Sequence, residues 1–446
     1  METRGTRLAA SAERLNLDHF WMPFTANRAF KAAPRIVTGA NGMYVKNERG
    51  EDVLDAMAGL WCVNLGHGRT EIAEAVHDAL LTLDFAPTFQ MGHPGPFKLA
   101  ERLVPHLPEG FSHLFFTNSG SEAVDTALKI ALGYHQMRGE SSRVRLIGRE
   151  KGYHGVNFGG TSVGGIMRNR QHFGPLLPGV DHLPATVTTQ KFVRGFPPPD
   201  PFFADELERI VNLHGARTIA AVIVEPIAGS AGVIMPPEGY LQRLREITQE
   251  HGILLIFDEV ITGFGRTGTG AFASTGFGVA PDMITMAKGI TNGAVPLGAV
   301  AVRREIHDAF MDAPEGVELF HGYTYSGHPV ACAAGLAALD IYEREDLFAR
   351  AGNIAPAFQD MLFSFVGKPG VVDVRGMGLV GAIELAPQGP PGAAANNAFV
   401  AAWNAGVLGR FTGDTLAFSP SLIIEEEHIE RIREVFEDVL AEQYDW

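Results

Sequence analysis

Ile253-Leu254-Leu255-Ile256-Phe257-Asp258-Glu259 and, further along, Met283-Ile284-Thr285-Met286-Ala287-Lys288-Gly289 decide how this chain is read. Each holds a continuous apolar run of strand length, the pattern of a strand buried on both faces in a parallel sheet. Each run then ends in a charged residue. In open α/β sheets, ligands lie in the crevice outside the carboxyl ends of the strands, so Asp258 and Lys288 are expected at one ligand-facing edge. Taken alone, Asp258 also suits a helix cap or a buried ion pair. Lysine is rarely buried, and in an apolar pocket its amine pKa falls, which makes it a nucleophile able to form a Schiff base. An acid on one strand end and a lysine on the next suit pyridoxal phosphate. The lysine would hold the aldehyde as an imine, and the carboxylate would keep the pyridine nitrogen protonated, which turns the ring into an electron sink.

Outward from this pair, helix and strand patterns alternate from Trp61 to about Val330, the mark of an α/β fold with a mainly parallel sheet covered on both faces. Strands are expected at 113–117, 144–147, 219–224 and 298–302 besides the two above. Residues 121–138 read as a helix with Ala123, Ala127, Ile130, Ala131 and Tyr134 on one stripe. At 446 residues the chain exceeds what one core supports, so residues 61–330 are expected to form a large cofactor-binding domain. The first 60 residues hold an aromatic patch, Phe20-Trp21-Met22-Pro23-Phe24, expected partly in the core and partly lining a pocket, and a hairpin turned by Asn41-Gly42. After residue 330 come an alanine-rich helix and a last amphipathic helix with Ile429, Ile432, Val435, Phe436, Val439 and Leu440 on one face. Segments 1–60 and 331–446 together are expected to make one small, discontinuous α+β domain.

A formal net charge of −15, and no run rich in lysine and arginine, argue against a nucleic-acid surface. Cys62 and Cys332 are too few for a disulfide framework or a thiolate metal site, and both read as small buried hydrophobes. Residues 1–20 are charged, without an apolar signal region, and no window reaches membrane-spanning length, so the cytoplasm is the expected compartment.

Thr117-Asn118-Ser119-Gly120-Ser121-Glu122 joins a strand to a helix start, where free N–H groups and the helix dipole favour a phosphate. Taken alone, a plain N-cap by serine is the commoner reading of such a start. Tyr153, in Lys151-Gly152-Tyr153-His154-Gly155, offers a ring to stack on a flat cofactor, although ordinary loop packing also accounts for it. Glu225 puts a second carboxylate at a strand end, and Gly229-Ser230-Ala231-Gly232 forms a loop of close backbone approach. Gly263-Phe264-Gly265-Arg266-Thr267-Gly268 is a weak match to a dinucleotide fingerprint, which should open a helix after a strand; its spacing suits a turn-rich loop better. Sixteen histidines show no metal-ligand spacing, so no catalytic metal is expected. Arg410 sits among small residues; its planar fork suits a carboxylate, and a surface ion pair is the alternative.

In order, Asn118 to Ala123, Tyr153-His154-Gly155, Glu225-Pro226, Asp258 to Gly268, Lys288 and His321 to Pro329 resemble the class III aminotransferases that use pyridoxal phosphate. Trp21 to Thr25, Gly59-Leu60-Trp61 and Gly413 to Leu416 further resemble the ω-amino acid:pyruvate branch, that of the β-alanine:pyruvate aminotransferases. The resemblance implies a fold type I enzyme, a homodimer or dimer of dimers, with each site shared across the interface. Lys288 and Asp258 would be catalytic. Tyr153 and Val260 would sandwich the ring, and Gly120, Ser121 and Thr324 of the partner subunit would hold the phosphate. Ser119, His154, Ile261 and Tyr323 would complete the cofactor's surroundings, and Glu225 would sit near the ring hydroxyl and help hold Arg410. Arg410 would bind the carboxylate of pyruvate or alanine, while Phe24, Trp61, Phe89, Tyr153 and Ala231 would line the substrate pocket. Amino transfer from an amine or ω-amino acid, β-alanine foremost, to pyruvate is the implied reaction. Taurine, 4-aminobutyrate and aryl amines stay open as donors. Decarboxylation, aminomutation or epimerisation on the same scaffold, or a binding protein that merely holds the cofactor, are the competing readings.

Overall fold

The computed structural model describes residues 15–314, 316 and 318–446. Of the N-terminal expectations, those on residues 1–14 lie outside the described residues. Strands β1 (Gly39–Asn41), β2 (Tyr44–Lys46) and β3 (Asp52–Asp55) form a small antiparallel sheet. Gly42, with φ at 54°, turns the β1–β2 hairpin where Asn41-Gly42 is placed by sequence. The large sheet uses β4 (Phe111–Thr117), β5 (Arg145–Arg149), β6 (Val180–Leu183), β7 (Ile219–Val224), β8 (Leu254–Asp258), β9 (Met283–Met286) and β10 (Gly298–Arg303). Its order is β4-β10-β9-β8-β7-β5-β6. A third sheet, ordered β11-β12-β15-β14, is built from β11 (Val371–Met377), β12 (Val380–Leu385), β14 (Arg410–Thr412) and β15 (Thr415–Phe418). Between β12 and β14, β13 (Val407–Leu408) crosses to pair in parallel with β3 and so ties the C-terminal part of the chain to the first sheet.

β10 runs antiparallel to both of its neighbours, so it alone opposes the other six strands of the large sheet. The stretch from Ala287 to Leu297 holds only a single 3₁₀ turn, Lys288–Thr291, too short for the crossover that a parallel return requires. Sequence alternation alone does not show this reversal. β6, with its mixed sequence Val-Asp-His-Leu, carries too little apolar signal to be foreseen.

Why the Ile253 run is uninterrupted is plain from its two faces. Ile256 packs with Ile223, Met283 and Val300 under the helix Gly120–Met137, whose Ala123, Ala127, Ile130 and Ala131 are buried. Leu255 and Phe257 pack on the other face against Leu207 and Ile210 of Phe202–His214 and Leu244 and Ile247 of Tyr240–Glu250. Each such side chain contributes about 1.5–3 kcal/mol by leaving water. The terminal helix Glu426–Tyr444 buries the six apolar residues expected of it. Among the described residues no helix is long and apolar enough to cross a membrane.

Two expectations are corrected here. Phe20, Trp21 and Phe24 are exposed on the single chain and take no part in its core, because Leu15–Asn27 runs along the surface and only the short helix Asn27–Ala32 follows it. Cys332 is buried, but Cys62 is only partly so, since it sits in the turn beside the site and points its thiol at the Leu60 carbonyl, 3.2 Å away.

Candidate active site

Five like-directed strands deliver side chains to one edge of the large sheet. β4 leads to Gly120 and Ser121, β5 to Tyr153 and His154, β7 to Glu225, β8 ends in Asp258, and β9 leads to Lys288. All of these, with Gly155, Val260, Ile261 and Ala287, line one cavity of about 180 Å³. The carboxyl-end rule for α/β sheets thus places the lysine and the acid in the same small space.

Asp258 is positioned by register. It stands opposite Thr285 in the β8–β9 pairing, and Thr285 Oγ1 donates to its Oδ1 at 3.1 Å. The Val260 N–H reaches the same oxygen at 3.2 Å, and His154 Nδ1 lies 2.8 Å from Oδ2. A carboxylate only accepts, so His154 carries its proton on Nδ1, and its buried Nε2 is left without a partner among the described residues. Glu259 faces the opposite way, as strand alternation dictates. It is fully buried and accepts from Ala273 N at 2.6 Å, Ser274 N at 2.9 Å and Thr262 Oγ1 at 3.1 Å, so it is a structural cap.

Lys288 adopts the left-handed region, φ 53°, which costs a non-glycine residue about 1 kcal/mol or more and persists only where the surroundings impose it. Its Nζ donates to the Leu60 carbonyl at 3.0 Å and lies 5.5 Å from the Trp61 ring centre. Burial holds its amine below the ordinary lysine range; Arg410 pushes the same way, against Cys62, Asp258 and Glu225. Ala58, Gly59 and Trp61 also have positive φ. Asp55 fixes that turn by accepting from Met57 N at 2.9 Å and Gly59 N at 2.6 Å, which aims the Leu60 carbonyl at the amine.

Arg410 Cζ lies 5.2 Å from the Trp61 ring centre, and no salt bridge to it forms among the described residues. Burial holds its guanidinium below the ordinary arginine range. The expected pairing of Glu225 with Arg410 is not made: Glu225 Oε1 instead accepts the Tyr153 N–H at 2.9 Å, while the arginine stacks on indole. Both partners have found closer company.

Glu225 is buried, and that burial, with Asp258 adding to it against His154, Arg149 and the Tyr153 N–H, pushes its carboxyl up to about 7. A raised folded-state pKa means its contribution to stability is fully present below the unfolded value near 4.5 and is lost as pH rises through about 7. In the cofactor-free protein, Glu225→Gln is therefore expected to gain about 3 kcal/mol relative to wild type between pH 4.5 and 7.5. Urea unfolding of both proteins across that range measures the difference. Parallel pH profiles would contradict the assignment.

The phosphate-side residues divide. Ser119 is the N-cap of Gly120–Met137, its Oγ accepting from Glu122 N at 3.2 Å, and it does not line the cavity. Ser121 Oγ accepts from Val156 N at 3.2 Å and faces the cavity, as does Gly120. Gly155, φ 87°, must be glycine, because a β-carbon there would collide with Ser121. Tyr323 and Thr324 lie away from this chain's own cavity. Tyr323 OH is 3.2 Å from Thr126 Oγ1 and donates to the Glu122 carbonyl at 3.3 Å, and Thr324 is exposed. Phe24 and Phe89 are also exposed, while Ala231 lines a neighbouring cavity of about 690 Å³. Donor chemistry and cradle together fit pyridoxal phosphate: an amine with a lowered pKa, a buried carboxylate and a glycine-lined helix start share one space.

Sequence reasoning missed two supports. Thr285 is a polar residue inside an apolar strand, one place before Met286, and that break in pattern was a usable signal. Arg149, buried and donating from Nη2 to the Glu225 carbonyl at 2.9 Å, ends β5 and gave no signal apart from its charge. Arg266 of the glycine-rich loop is structural. It is buried, donates to Asn64 Oδ1 at 2.6 Å and to the carbonyls of Leu379 and Pro420, and its guanidinium is lowered to about 10 by burial.

The family model described as aminotransferase class-III matches residues 25–440. An omega-aminotransferase of Caulobacter vibrioides is 56% identical over 431 residues, 96% of this chain and 98% of its own length. A beta-alanine–pyruvate aminotransferase of Pseudomonas aeruginosa is 50% identical, covering 94% of this chain and 95% of its own. Among solved structures, an amine transaminase from an uncultivated Pseudomonas species, in its PLP-bound form, superposes with a TM-score of 0.88 at 37% identity, over 95% of this chain and 98% of that one.

Proposed function

Since the chain belongs to the class-III aminotransferases, we propose that it is an ω-amino acid:pyruvate transaminase, taking the amino group of β-alanine or a related amine and giving alanine. Its cofactor is pyridoxal phosphate. The single observation that carries this reading is the shared cavity of Lys288 and Asp258, with the unpaired Arg410 on the same indole as the lysine.

When bound, the cofactor supplies an electron sink that makes the hydrogen on the donor's amine-bearing carbon removable. Lys288 Nζ, whose neutral form burial favours, would take that proton and give it up again before the same half-reaction ends, and would run the reverse transfer with pyruvate, so one amine serves as base and acid. Asp258, held in place by Thr285, Val260 N and His154, faces the site and would hold the cofactor's ring nitrogen protonated. Tyr153 and Val260 would flank the cofactor ring, and Gly120, Ser121 and Gly155 would cradle its phosphate. Arg410 binds the pyruvate carboxylate with its planar fork, and Trp61 keeps water away from the amine.

A homodimer belongs to the same proposal. Its support is that Tyr323 and Thr324 stand outside their own chain's cavity, beside exposed Phe320, Phe85 and Phe89, an apolar surface of the kind that marks an interface. Division into a large domain, 61–330, and a small one, 1–60 with 331–446, is supported by β13 beside β3. Two free cysteines support a reducing cytoplasmic setting.

Purified protein with cofactor, β-alanine and pyruvate is expected to form alanine. Arg410→Leu is expected to raise the KM for pyruvate by about 10- to 100-fold, the worth of a charge-assisted bidentate contact. The half-reaction with an amine that lacks a carboxylate should stay within about threefold. Chromatography of alanine and carbon dioxide in one assay checks both. Carbon dioxide without alanine would turn the reading to a decarboxylase.

A further inference from the structure

Arg375 on β11 touches neither the lysine nor the acid, yet two carboxylates and a backbone carbonyl hold it. Its Nη1 lies 2.7 Å from both Asp373 Oδ2 and Glu384 Oε2, and the β11–β12 register places those two carboxylates side by side. The side chain is 14% exposed, and Asp373 is buried. Two acids gripping one planar cation leave it a single orientation. In that orientation its Nε donates to the Gly232 carbonyl at 2.9 Å.

Gly232 belongs to the loop 228–234, closed by paired bonds between Ala228 and Ile234 and shaped by positive φ at Gly232, 104°, and Val233, 55°. One side of the loop meets the site. Gly229 packs on Ile261, a wall of the Lys288 cavity, and Val233 shares a buried apolar cluster with Trp61, Ile261 and Ala417. Ala417 is the β15 partner of Arg410. The other side meets the cavity of about 690 Å³, lined by Ala231, Thr412 and the Arg375 triad. The loop is the partition between a small reactive space and a large one.

We propose that Arg375 is a positioning residue that sets donor size: through Gly232 it holds this partition against Ile261 and Trp61, and so excludes amines with a bulky group next to the reacting carbon. This rests on the transaminase reading above. Freed from the clamp, the loop can yield toward the larger cavity, which gives a bulky donor room and gives β-alanine nothing.

The test compares wild type, Arg375→Gln and Arg375→Lys, each with cofactor and pyruvate, on β-alanine and on 1-phenylethylamine, with thermal midpoints measured alongside. Arg375→Gln is expected to raise the kcat/KM ratio of the aryl amine to β-alanine by about tenfold, the low end of what one methylene of fit is worth, mainly through a lower KM for the aryl amine. Lysine, which keeps the charge but loses the fork, should fall between. A role confined to stability would lower the midpoint and scale both donors alike, and that result overturns the proposal. Should Arg375→Gln fail to fold, Glu384→Gln releases the clamp from its other end and must move the same ratio. Alanine formation with an unmoved ratio overturns the clamp alone; no alanine from any donor with wild type overturns the transaminase reading as well.

Discussion

Lys288→Ala is expected to cut turnover by about 10⁴-fold or more, since one amine is both the anchoring nucleophile and the group that carries the proton. Among the described residues that line its cavity, none is aimed to stand in for it. The polar side chains that share its cavity are Ser121, Tyr153, His154, Glu225 and Asp258. His154 is turned toward Asp258, and Glu225 accepts from Tyr153 N, so neither is aimed as a replacement base. Removing the side chain also deprives the Leu60 carbonyl of its donor, while alanine remains in a left-handed backbone position. The thermal midpoint should therefore move little compared with activity. Borohydride reduction followed by dialysis should leave cofactor fixed to wild type and wash it from the variant, which separates loss of the anchor from loss of fold. A small exogenous amine such as methylamine should restore part of the proton-transfer rate. Turnover within about tenfold of wild type would remove Lys288 from the mechanism.

The strand run ending in Asp258 was legible because both of its faces are buried, so no polar residue interrupts it; the same holds for the run before Lys288. Periodicity also exposed the helices over 120–137 and 426–444, where one stripe is core and the rest is solvated. What stayed hidden depends on tertiary placement. Ser119 and Ser121 look alike as helix-start hydroxyls, and only folding makes one an N-cap and aims the other at the cavity. Asp258 and Glu259 look like a pair, and alternation sends one to the site and the other into the 273–274 backbone. Reversal of β10 comes from a short connection, and the Arg375 clamp joins residues more than 140 positions apart, which no local window can contain.

Asp258→Asn is expected to lower kcat by about 10³-fold while changing the donor KM by less than about fivefold. Asparagine matches the carboxylate in shape, so the bonds from Thr285 Oγ1 and Val260 N to Oδ1 can be kept. The third partner is the difficulty. His154 donates from Nδ1 to Oδ2, and an amide NH₂ in that place sets donor against donor unless the imidazole moves its proton to Nε2, which is buried with no acceptor among the described residues. That conflict costs about 1–3 kcal/mol of stability, visible in urea unfolding. The larger loss is chemical: a neutral amide cannot hold a ring nitrogen protonated, so the electron sink weakens and the carbon proton facing Lys288 is harder to remove. Asp258→Glu tests which loss matters, because it keeps the charge and displaces it by one methylene. If charge is the cause, the glutamate variant should recover part of kcat although its packing is worse; if packing is the cause, it should be the poorer of the two. An asparagine variant retaining kcat within about threefold would mean that the acid at the end of β8 braces His154 and does no more.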